Sequence, residues 1–230
     1  SPLLANIYLH YVFDRWVQQW RKRARGDVVV VRWADDFIVG FQFQAEAEQF
    51  LAELTERLRE FGLELHPDKT RLLEFGRYAA SARQQRGQGK PETFNFLGFT
   101  HICGQTRKGK FTVQRQTQKQ RLRAKLKEVK AELQRRRQAS VAAVGSWLAT
   151  VVRGHCQYYG VPGNSRALAL FRYRIERLWH RALSRRSQKA RLTWGRMKRL
   201  TKRWLPPTCI THPYFSVRFA VMTQGRSPVR

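Results

Sequence analysis

Hydrophobic residues recur with a helical period in two segments of the first sixty positions. Between residues 3 and 20 they return at steps of three and four, which predicts an amphipathic helix with Ser1-Pro2 at its start. Residues 45–61 show the same spacing with glutamates on the opposite face, and Gly62 predicts the end of this second helix. The segment between them lacks the helical period, so we expect a different element there.

That intervening segment, VVVVRWADDFIVGF (residues 28–41), consists of two apolar stretches around a polar turn. Four consecutive valines predict a strand that is buried on both faces, and residues 37–41 predict a second strand, so the pattern indicates a hairpin. Weaker patterns after it predict short strands at 63–65 and 71–75, a mobile polar loop at 77–92, and a final hairpin from the segments 94–99 and 110–113.

The second half of the chain returns to helical spacing. Hydrophobic stripes predict three helices with lysine and arginine on their outer faces, over residues 116–138, 141–151 and 164–182. In the C-terminal tail only one strand is predicted, at 216–221. The whole pattern predicts an α+β fold, in which an antiparallel sheet backed by helices is followed by an all-α basic bundle of three helices.

The positive charge of the chain is concentrated in that second half. The 230 residues carry a net charge of +29, but residues 1–100 hold 14 Lys and Arg against 13 Asp and Glu, whereas residues 101–230 hold 31 against 3. Such a surface binds polyanions by releasing counterions, and the seven Trp and seven Tyr interleaved with the cations offer stacking faces for bases. We therefore expect nucleic acid as the partner, with a merely solvated face or a patch for anionic membranes as alternatives.

Composition excludes several classes of protein. At 42% hydrophobic residues the chain is too apolar to be disordered as a whole, and no apolar run is long enough to span a membrane. Cys103, Cys156 and Cys209 are odd in number and widely separated, which argues against a disulfide framework and favours a reducing cytoplasm. Because the chain begins at Ser1 without a leader, we expect a piece of a longer, cytoplasmic protein.

The adjacent carboxylates Asp35 and Asp36 are the candidate chemistry. Two neighbouring carboxylates repel unless a cation compensates, and Mg²⁺ suits a site that combines carboxylates with substrate phosphates. Nucleotidyl transfer uses two such ions, for which Mn²⁺ is a possible substitute. An ordinary surface Asp-Asp turn is the alternative, but apolar strands on both sides of the pair favour a metal site. Polymerase palms normally supply a further carboxylate from another strand, and nothing in residues 1–27 looks like that strand. Either the missing ligand lies upstream of Ser1 or the chain is not competent alone.

An ordered series of sequence blocks resembles the reverse transcriptases encoded by bacterial group II introns, also called maturases. RWADDFIVG resembles their catalytic block, usually written Y/F-A-D-D, and GLELHPDKT resembles the block that follows it. FNFLGF resembles the block that grips the primer end. SPLLANIYL, GHCQYYGVPGN and WLPPTCITHPYFSVRF resemble the helix after the nucleotide-contacting segment, the thumb or X domain, and the end of members without a nuclease domain.

The resemblance implies a domain organisation and a set of partners. Residues 1–114 would be a partial palm with a polymerase-type antiparallel sheet, residues 115–190 the thumb or X domain, and residues 191–230 a basic tail. The protein would extend a DNA primer on an RNA template with deoxynucleoside triphosphates, and would bind intron RNA to assist splicing and mobility. Because the fingers and an upstream catalytic aspartate are missing from the sequence, we expect activity in the full-length parent and not in this piece alone.

The resemblance also implies roles for individual residues of the first half. Asp35 and Asp36 would be catalytic and would hold two Mg²⁺ ions. Lys69 would lie near the triphosphate and protonate the leaving pyrophosphate, unless it is an ordinary turn lysine. Trp33 departs from the family, which has Tyr or Phe at this position, and the bulkier indole would affect nucleotide selection or activity.

In the second half, the resemblance implies contacts with nucleic acid. Phe96, Leu97 and Gly98 would hold the primer strand, although an apolar strand is as easily part of a core. Four arginines would bind the duplex backbone or the intron RNA: Arg121, Arg135, Arg136 and Arg137. Tyr158 and Tyr159 would stack on RNA or close the bundle, and we expect packing as the role of at least one of them.

Two other functions compete with reverse transcription. The first is a non-catalytic RNA-binding maturase, in which the basic bundle stabilises folded intron RNA and the palm is a scaffold. The intact Asp35-Asp36 pair argues against this alternative, whereas Trp33 argues for it. A nucleotide cyclase with a related palm also places carboxylates on a hairpin, but it has no use for a basic thumb.

Overall fold

The computed structural model of the chain describes residues 2–106, 108–186 and 192–213. It confirms the α+β class, with helices and antiparallel sheets. The chain divides by compactness into two units, one ending at Glu74 and the other beginning at Phe75. This division concerns packing only, and the domain boundaries expected at residues 114 and 190 stay predictions.

The first unit begins with one long helical segment. Helix α1 (Pro2–Leu9) continues through a π-helical turn (His10–Asp14) into α2 (Arg15–Arg23). The predicted first helix is therefore present and extends three residues past its expected end, into the basic residues Arg21, Lys22 and Arg23. Ser1, where this helix was predicted to start, lies outside the described residues.

Helix α3 (Gln44–Glu60) confirms the second predicted helix. After Phe61, Gly62 takes a left-handed backbone with φ of 66°, and Leu63 N donates to the Leu58 carbonyl at 2.9 Å. A glycine adopts this conformation without steric cost, which is why the helix ends there.

Strands β1 (Val28–Trp33) and β2 (Asp36–Phe41) form the predicted antiparallel hairpin, with Trp33 opposite Asp36. The expectation of burial on both faces is wrong. Val28 is 5% exposed, but Val29 and Val31 are 60% and 48% exposed. Within the described residues, α2 and α3 cover one face of this two-stranded sheet, so burial alternates along β1.

Two smaller expectations for the region between the sheets are also wrong. Residues 63–65 and 71–75 are not strands, although Leu63 and Leu65 pack against the first core. An extended apolar segment needs a neighbouring strand to become part of a sheet, and none in the described ranges pairs with them. The segment expected to be a mobile loop contains a short helix, α4 (Ala79–Gln85), because its alanines and glutamines favour helix.

The second unit packs a three-stranded sheet with a helical bundle. Strands β3 (Phe94–Phe96), β4 (Phe99–Gln105) and β5 (Phe111–Thr117) are antiparallel in that order. The three predicted helices are confirmed, and a fourth was not expected: α5 (Lys119–Arg135), α6 (Val141–Tyr159), α7 (Ser165–Ser184) and α8 (Trp194–Trp204). The tail strand expected at 216–221 falls outside the described residues.

Asn164, only 1% exposed, ties the end of β5 to the α6–α7 connection. Its side-chain oxygen accepts from Thr117 N at 3.0 Å, and its amide donates to Thr117 Oγ1 and to the Tyr159 carbonyl, both at 2.8 Å. Thr117 is the last residue of β5, and Tyr159 is the last residue of α6. The residue therefore completes the hydrogen bonding of the joint between sheet and bundle.

Replacing Asn164 by Ala is expected to lower the free energy of unfolding by about 3 kcal/mol, because three hydrogen bonds are removed and the buried Thr117 N–H has no acceptor. Urea denaturation followed by circular dichroism measures the change. Asn95→Ala is the matched control, since this exposed asparagine accepts one bond from Thr100. Equal effects of the two substitutions would contradict the structural role of Asn164.

His155 is a buried histidine inside the bundle. Its ring stacks on Phe171 with centroids 3.7 Å apart, and its Nε2 has no hydrogen-bond partner among the described residues. Burial, together with the positive charge of Lys125, lowers the pKa of His155 to about 4. The side chain is therefore neutral at physiological pH.

Stability of the bundle is expected to fall as the pH drops from about 6.5 towards 4. In this window the unfolded chain binds a proton at His155 that the folded chain does not, so protonation favours unfolding. Between pH 7 and pH 5 the loss is about 2 kcal/mol for this group. Urea denaturation at both pH values measures it, and His155→Gln should remove that part of the pH dependence. An undiminished dependence in this variant would contradict the assignment.

Candidate active site and nucleic-acid interface

The loop between β1 and β2 contains only Ala34 and Asp35. Ala34 has φ of 54°, a left-handed value that is unusual for a residue with a side chain. A positive φ at the first residue of a two-residue loop matches the twist of the strands, as in a type II′ turn, where glycine is usual. The hairpin therefore carries local strain at the residue before the aspartate pair, and such strain concentrates at functional sites.

Both carboxylates are exposed and free. The side chains of Asp35 and Asp36 make no hydrogen bond or ion pair with any residue that the structure describes. Unpaired, solvent-facing carboxylates on a short turn suit Mg²⁺, which takes oxygen ligands from one or two carboxylates together with substrate phosphates and water. These two residues are the ones that would hold such an ion.

A complete protein ligand set is not present in the described part of the chain. Over those residues, no group of three His, Cys, Asp or Glu side chains is close enough to hold a metal. The pair fits a site in which substrate phosphates or further carboxylates complete the coordination. That Asp35 and Asp36 are part of a larger ligand set stays a prediction.

Trp33 lies directly opposite Asp36 and shares its face of the hairpin. Its indole is 67% exposed, and the exposed Val29 and Val31 continue the same face. The burial of both flanks, which favoured a metal site in the sequence, is thus not observed on this face. The features of the hairpin that still favour a metal site are the two free carboxylates and the strained turn.

Arg32, which the sequence pattern did not single out, anchors the turn. Its guanidinium donates to both carboxylate oxygens of Asp14, at 2.8 and 2.6 Å, to Asn6 Oδ1 at 3.0 Å, and to the Ala34 carbonyl at 2.7 Å. The hydrogen bonds from Arg32 hold the pKa of Asp14 below its ordinary value. A lone arginine within an apolar strand is a sequence signal of such a partner, since buried charges are paired.

Lys69 lies in the turn formed by residues 66–70, where its backbone N–H donates to the His66 carbonyl at 3.2 Å. Its side chain is exposed and makes no hydrogen bond or ion pair with the described residues. Lys69 belongs to the same compact unit as the aspartate pair. Its ammonium group is therefore available to a ligand, and its role near a triphosphate stays a prediction.

The predicted primer-contacting residues form the turn between β3 and β4, in the second unit. Phe96 pairs with Phe99, and the two loop residues Leu97 and Gly98 have φ of 47° and 76°. Two successive positive values are those of a type I′ turn, which favours glycine and asparagine. Leu97 is thus a second strained position, after Ala34. The resemblance implies that Leu97 holds the primer strand.

Tyr158 and Tyr159, at the end of α6, pack against this turn. Tyr158 donates from its hydroxyl to the Leu97 carbonyl at 3.0 Å, and its ring stacks on Phe99 at 6.0 Å. Tyr159 lies edge-on to Phe99 at 5.2 Å, and a Cβ placed on Gly98 would be 2.9 Å from its hydroxyl. Both tyrosines therefore hold the turn, although the ring of Tyr158 remains 53% exposed.

The candidate arginines of α5 lie at its two ends. Arg121 is exposed near the turn, where it opposes the rise that burial causes in the pKa of Tyr159. At the other end, Arg135 and Arg136 pair with Glu132, at 3.6 and 2.7 Å, and Arg137 donates to the Arg185 carbonyl at 3.1 Å. Arg121 is thus free for a phosphate, whereas the other three have intramolecular partners.

Helix α8 has a basic surface, and it lies in the segment that the sequence predicted to be a basic tail. Met197 and Thr201 are buried on its inner side, and Gly145 of α6 allows Trp204 to approach the neighbouring helix closely. Residues at steps of three and four, after the capping Thr193, are a signal that would have predicted this helix. Its exposed cations make no ion pair with a described residue: Arg196, Lys198, Arg199, Lys202 and Arg203.

Comparison with known proteins bears on the first half of the chain. Residues 1–101 match the family model described as reverse transcriptase (RNA-dependent DNA polymerase). A search of curated proteins found no match. None of the helices within the described ranges combines the length and apolarity required to cross a bilayer. The match covers the N-terminal helical segment, the hairpin with the aspartate pair, and the turn at residues 96–98. Residues 1–101 are therefore similar to the reverse transcriptase family.

Proposed function

We propose that this chain is the palm and thumb portion of an RNA-directed DNA polymerase encoded by a group II intron. It extends a DNA primer on an RNA template with deoxynucleoside triphosphates, and it binds the intron RNA to assist splicing and mobility. It works in the reducing cytoplasm of a bacterial-type cell, in keeping with cysteines that are all free. The observation that carries the proposal is the match to the reverse transcriptase family over a segment whose strained turn presents two free carboxylates.

Each group of residues has a part in this function. Asp35 and Asp36 hold two Mg²⁺ ions, or Mn²⁺ in their place, together with the substrate phosphates. Bound metal lowers the pKa of the attacking hydroxyl and stabilises the charge that develops on the leaving group. Lys69 faces the triphosphate and donates a proton to the departing pyrophosphate. Phe96, Leu97 and Gly98 support the primer end.

The basic second unit holds nucleic acid through its phosphates. The 31 Lys and Arg of residues 101–230 face only three acidic residues, so most of this charge is uncompensated. Among the described residues, Arg121 and the exposed cations of α8 are examples of free groups that support this role. Phosphate contacts of this kind supply affinity without sequence preference, so recognition of a particular intron depends on RNA shape.

The second candidate is a maturase that binds RNA without polymerising. Trp33 is the observation that favours it, because the exposed indole shares a face with Asp36 and occupies space beside the turn. A bulky side chain there would hinder the approach of a nucleotide. The two candidates differ in whether the aspartate pair is used for primer extension.

Two assays on the full-length protein test the proposal. Primer extension on an RNA template with deoxynucleotides and Mg²⁺ measures polymerisation, and splicing of a group II intron transcript measures the maturase function. We expect RNA-templated extension together with faster splicing of the cognate intron. Splicing without any extension would favour the non-catalytic candidate, and neither activity would contradict both.

A further inference from the structure

Arg32 joins three parts of the first unit at one guanidinium group. It lies in β1, its acceptors Asp14 and Asn6 lie on the helical segment, and its fourth bond reaches the Ala34 carbonyl in the turn. The guanidinium has five N–H groups, so four of them are engaged. The side chain of Arg32 is 15% exposed and that of Asp14 26%, which partly shields the ion pair between them from solvent.

The π-helical turn explains how Asn6 and Asp14 reach the same guanidinium. They are eight residues apart, and at about 100° per residue an uninterrupted α-helix would place them about 80° apart around its axis. A π-helical turn inserts one residue, which brings the same two positions to within about 20° of each other. The turn spans His10–Asp14, between these residues, and Arg15 N donates to the His10 carbonyl.

The Ala34 carbonyl is the part of the turn that this network fixes. It belongs to the peptide bond between Ala34 and Asp35, so its direction sets the plane from which the Asp35 side chain departs. Ala34 is held at φ of 54°, a conformation that an alanine does not favour by itself. A charge-assisted hydrogen bond of 2.7 Å from Arg32 opposes relaxation of this strained residue.

We propose that Arg32, oriented by Asp14 and Asn6, is a positioning residue that fixes the aspartate turn for metal binding. This proposal rests on the proposed function, because it assumes that Asp35 and Asp36 hold the metal. Arg32 does not touch the metal or the nucleotide in this account. It acts through the peptide plane before Asp35, and the π-helical turn is the feature of the helix that allows both acceptors to orient it.

The test substitutes Arg32 by Lys in the full-length protein. Lysine retains the charge but cannot form the two-pronged bond to Asp14 together with the bonds to Asn6 and Ala34. We expect a 10- to 100-fold lower kcat for primer extension, with the KM for primer–template unchanged. The Mg²⁺ concentration for half-maximal activity should rise, and Mn²⁺ binding measured by electron paramagnetic resonance should weaken by a similar factor.

Arg23→Lys is the matched control. Arg23 forms an ion pair with Glu53 that joins α2 to α3 in the same unit, and it shares no partner with the turn. This control should retain the kcat and the Mn²⁺ affinity of the wild type. Asn6→Ala is a milder second variant, because it removes one bond from Arg32 and leaves the ion pair with Asp14 in place. It should fold normally and lower kcat several-fold.

The outcomes separate this inference from the proposed function. If Arg32→Lys and Asn6→Ala bind Mn²⁺ as tightly as Arg23→Lys, the positioning role is wrong, whether or not the protein polymerises. A loss of kcat that only follows the folded fraction, measured by circular dichroism, would also overturn it. If the wild type does not extend primers but Arg32→Lys weakens Mn²⁺ binding, the proposed function fails and the positioning role stands.

Discussion

Replacing Asp35 by Asn is expected to abolish RNA-templated primer extension, with a loss of kcat on the order of 10³-fold or more. The amide has the shape of the carboxylate but removes one negative charge from a pair that has no other described partner. Without that charge, the turn cannot compensate the positive charge of a divalent ion. Single-turnover extension of a labelled primer with Mg²⁺ measures the loss.

Asp27→Asn is the matched control for this substitution. Asp27 is exposed and directly precedes β1, so it lies at the opposite end of the same hairpin from the turn. It should extend primers at the rate of the wild type. Because Asp35 contributes nothing to packing, both variants should bind RNA and melt as the wild type does. Wild-type extension by Asp35→Asn with Mg²⁺ as the only metal would remove the catalytic assignment.

The affinity of the protein for structured RNA is expected to fall by about 10³- to 10⁵-fold between 50 and 200 mM salt. A drop of this size follows from the neutralisation of about six to ten phosphates, each of which releases condensed counterions. The basic second unit supplies enough free cations for this number, and α8 alone exposes five. Filter binding or fluorescence anisotropy across the salt range measures the slope of log affinity against log salt.

A variant of α8 tests which cations bind these phosphates. Glutamine at four exposed positions preserves the helix and removes four charges: Arg196, Lys198, Arg199 and Lys202. The slope should become shallower by up to about three to four, about 0.9 for each phosphate that is no longer neutralised. The double substitution Glu128→Gln and Glu132→Gln is a control of opposite sign. It removes two negative charges, so it should raise the affinity for RNA. A flat salt dependence in the wild type would contradict the electrostatic account.

Periodicity predicted the helices correctly because their packing is local. The steps of three and four in α3 and in the bundle place one side of each helix in a core, and this follows from helix geometry alone. The same rule would have found α8, whose buried Met197 and Thr201 lie four residues apart. This segment is rich in arginine and lysine, which are equally typical of a basic tail, so the helical spacing was not recognised.

Burial of the strands could not be predicted in the same way. A run of valines is typical of strands covered on both faces, but coverage depends on which other elements reach the sheet. Val29 and Val31 are exposed since no described element covers their face of the hairpin. Likewise, Leu63 and Leu65 alternate as in a strand, but no described strand lies beside them to pair with.

The residues of the candidate site could be predicted from the sequence, but the contacts that hold them in place could not. The aspartate pair between two apolar stretches and the FNFLGF block are local signals, and the resemblance identified both. The network at Arg32 depends on a π-helical turn that brings Asn6 and Asp14 together, and no local pattern signals that turn. The hydrogen bond of Tyr158 to Leu97 spans 61 positions, which periodicity cannot reach.

The proposed function requires that the Asp35-Asp36 turn hold the metal used in primer extension. Its most direct test replaces Mg²⁺ by Fe²⁺ in the full-length protein bound to RNA template, primer and a non-hydrolysable deoxynucleotide. Hydroxyl radicals generated at the bound iron then cleave the nearby backbone, and mass spectrometry locates the cuts. We expect cleavage within residues 33–37 that excess Mg²⁺ and Asp35→Asn both suppress. Cleavage elsewhere, with none at this turn in a protein that extends primers, would contradict it.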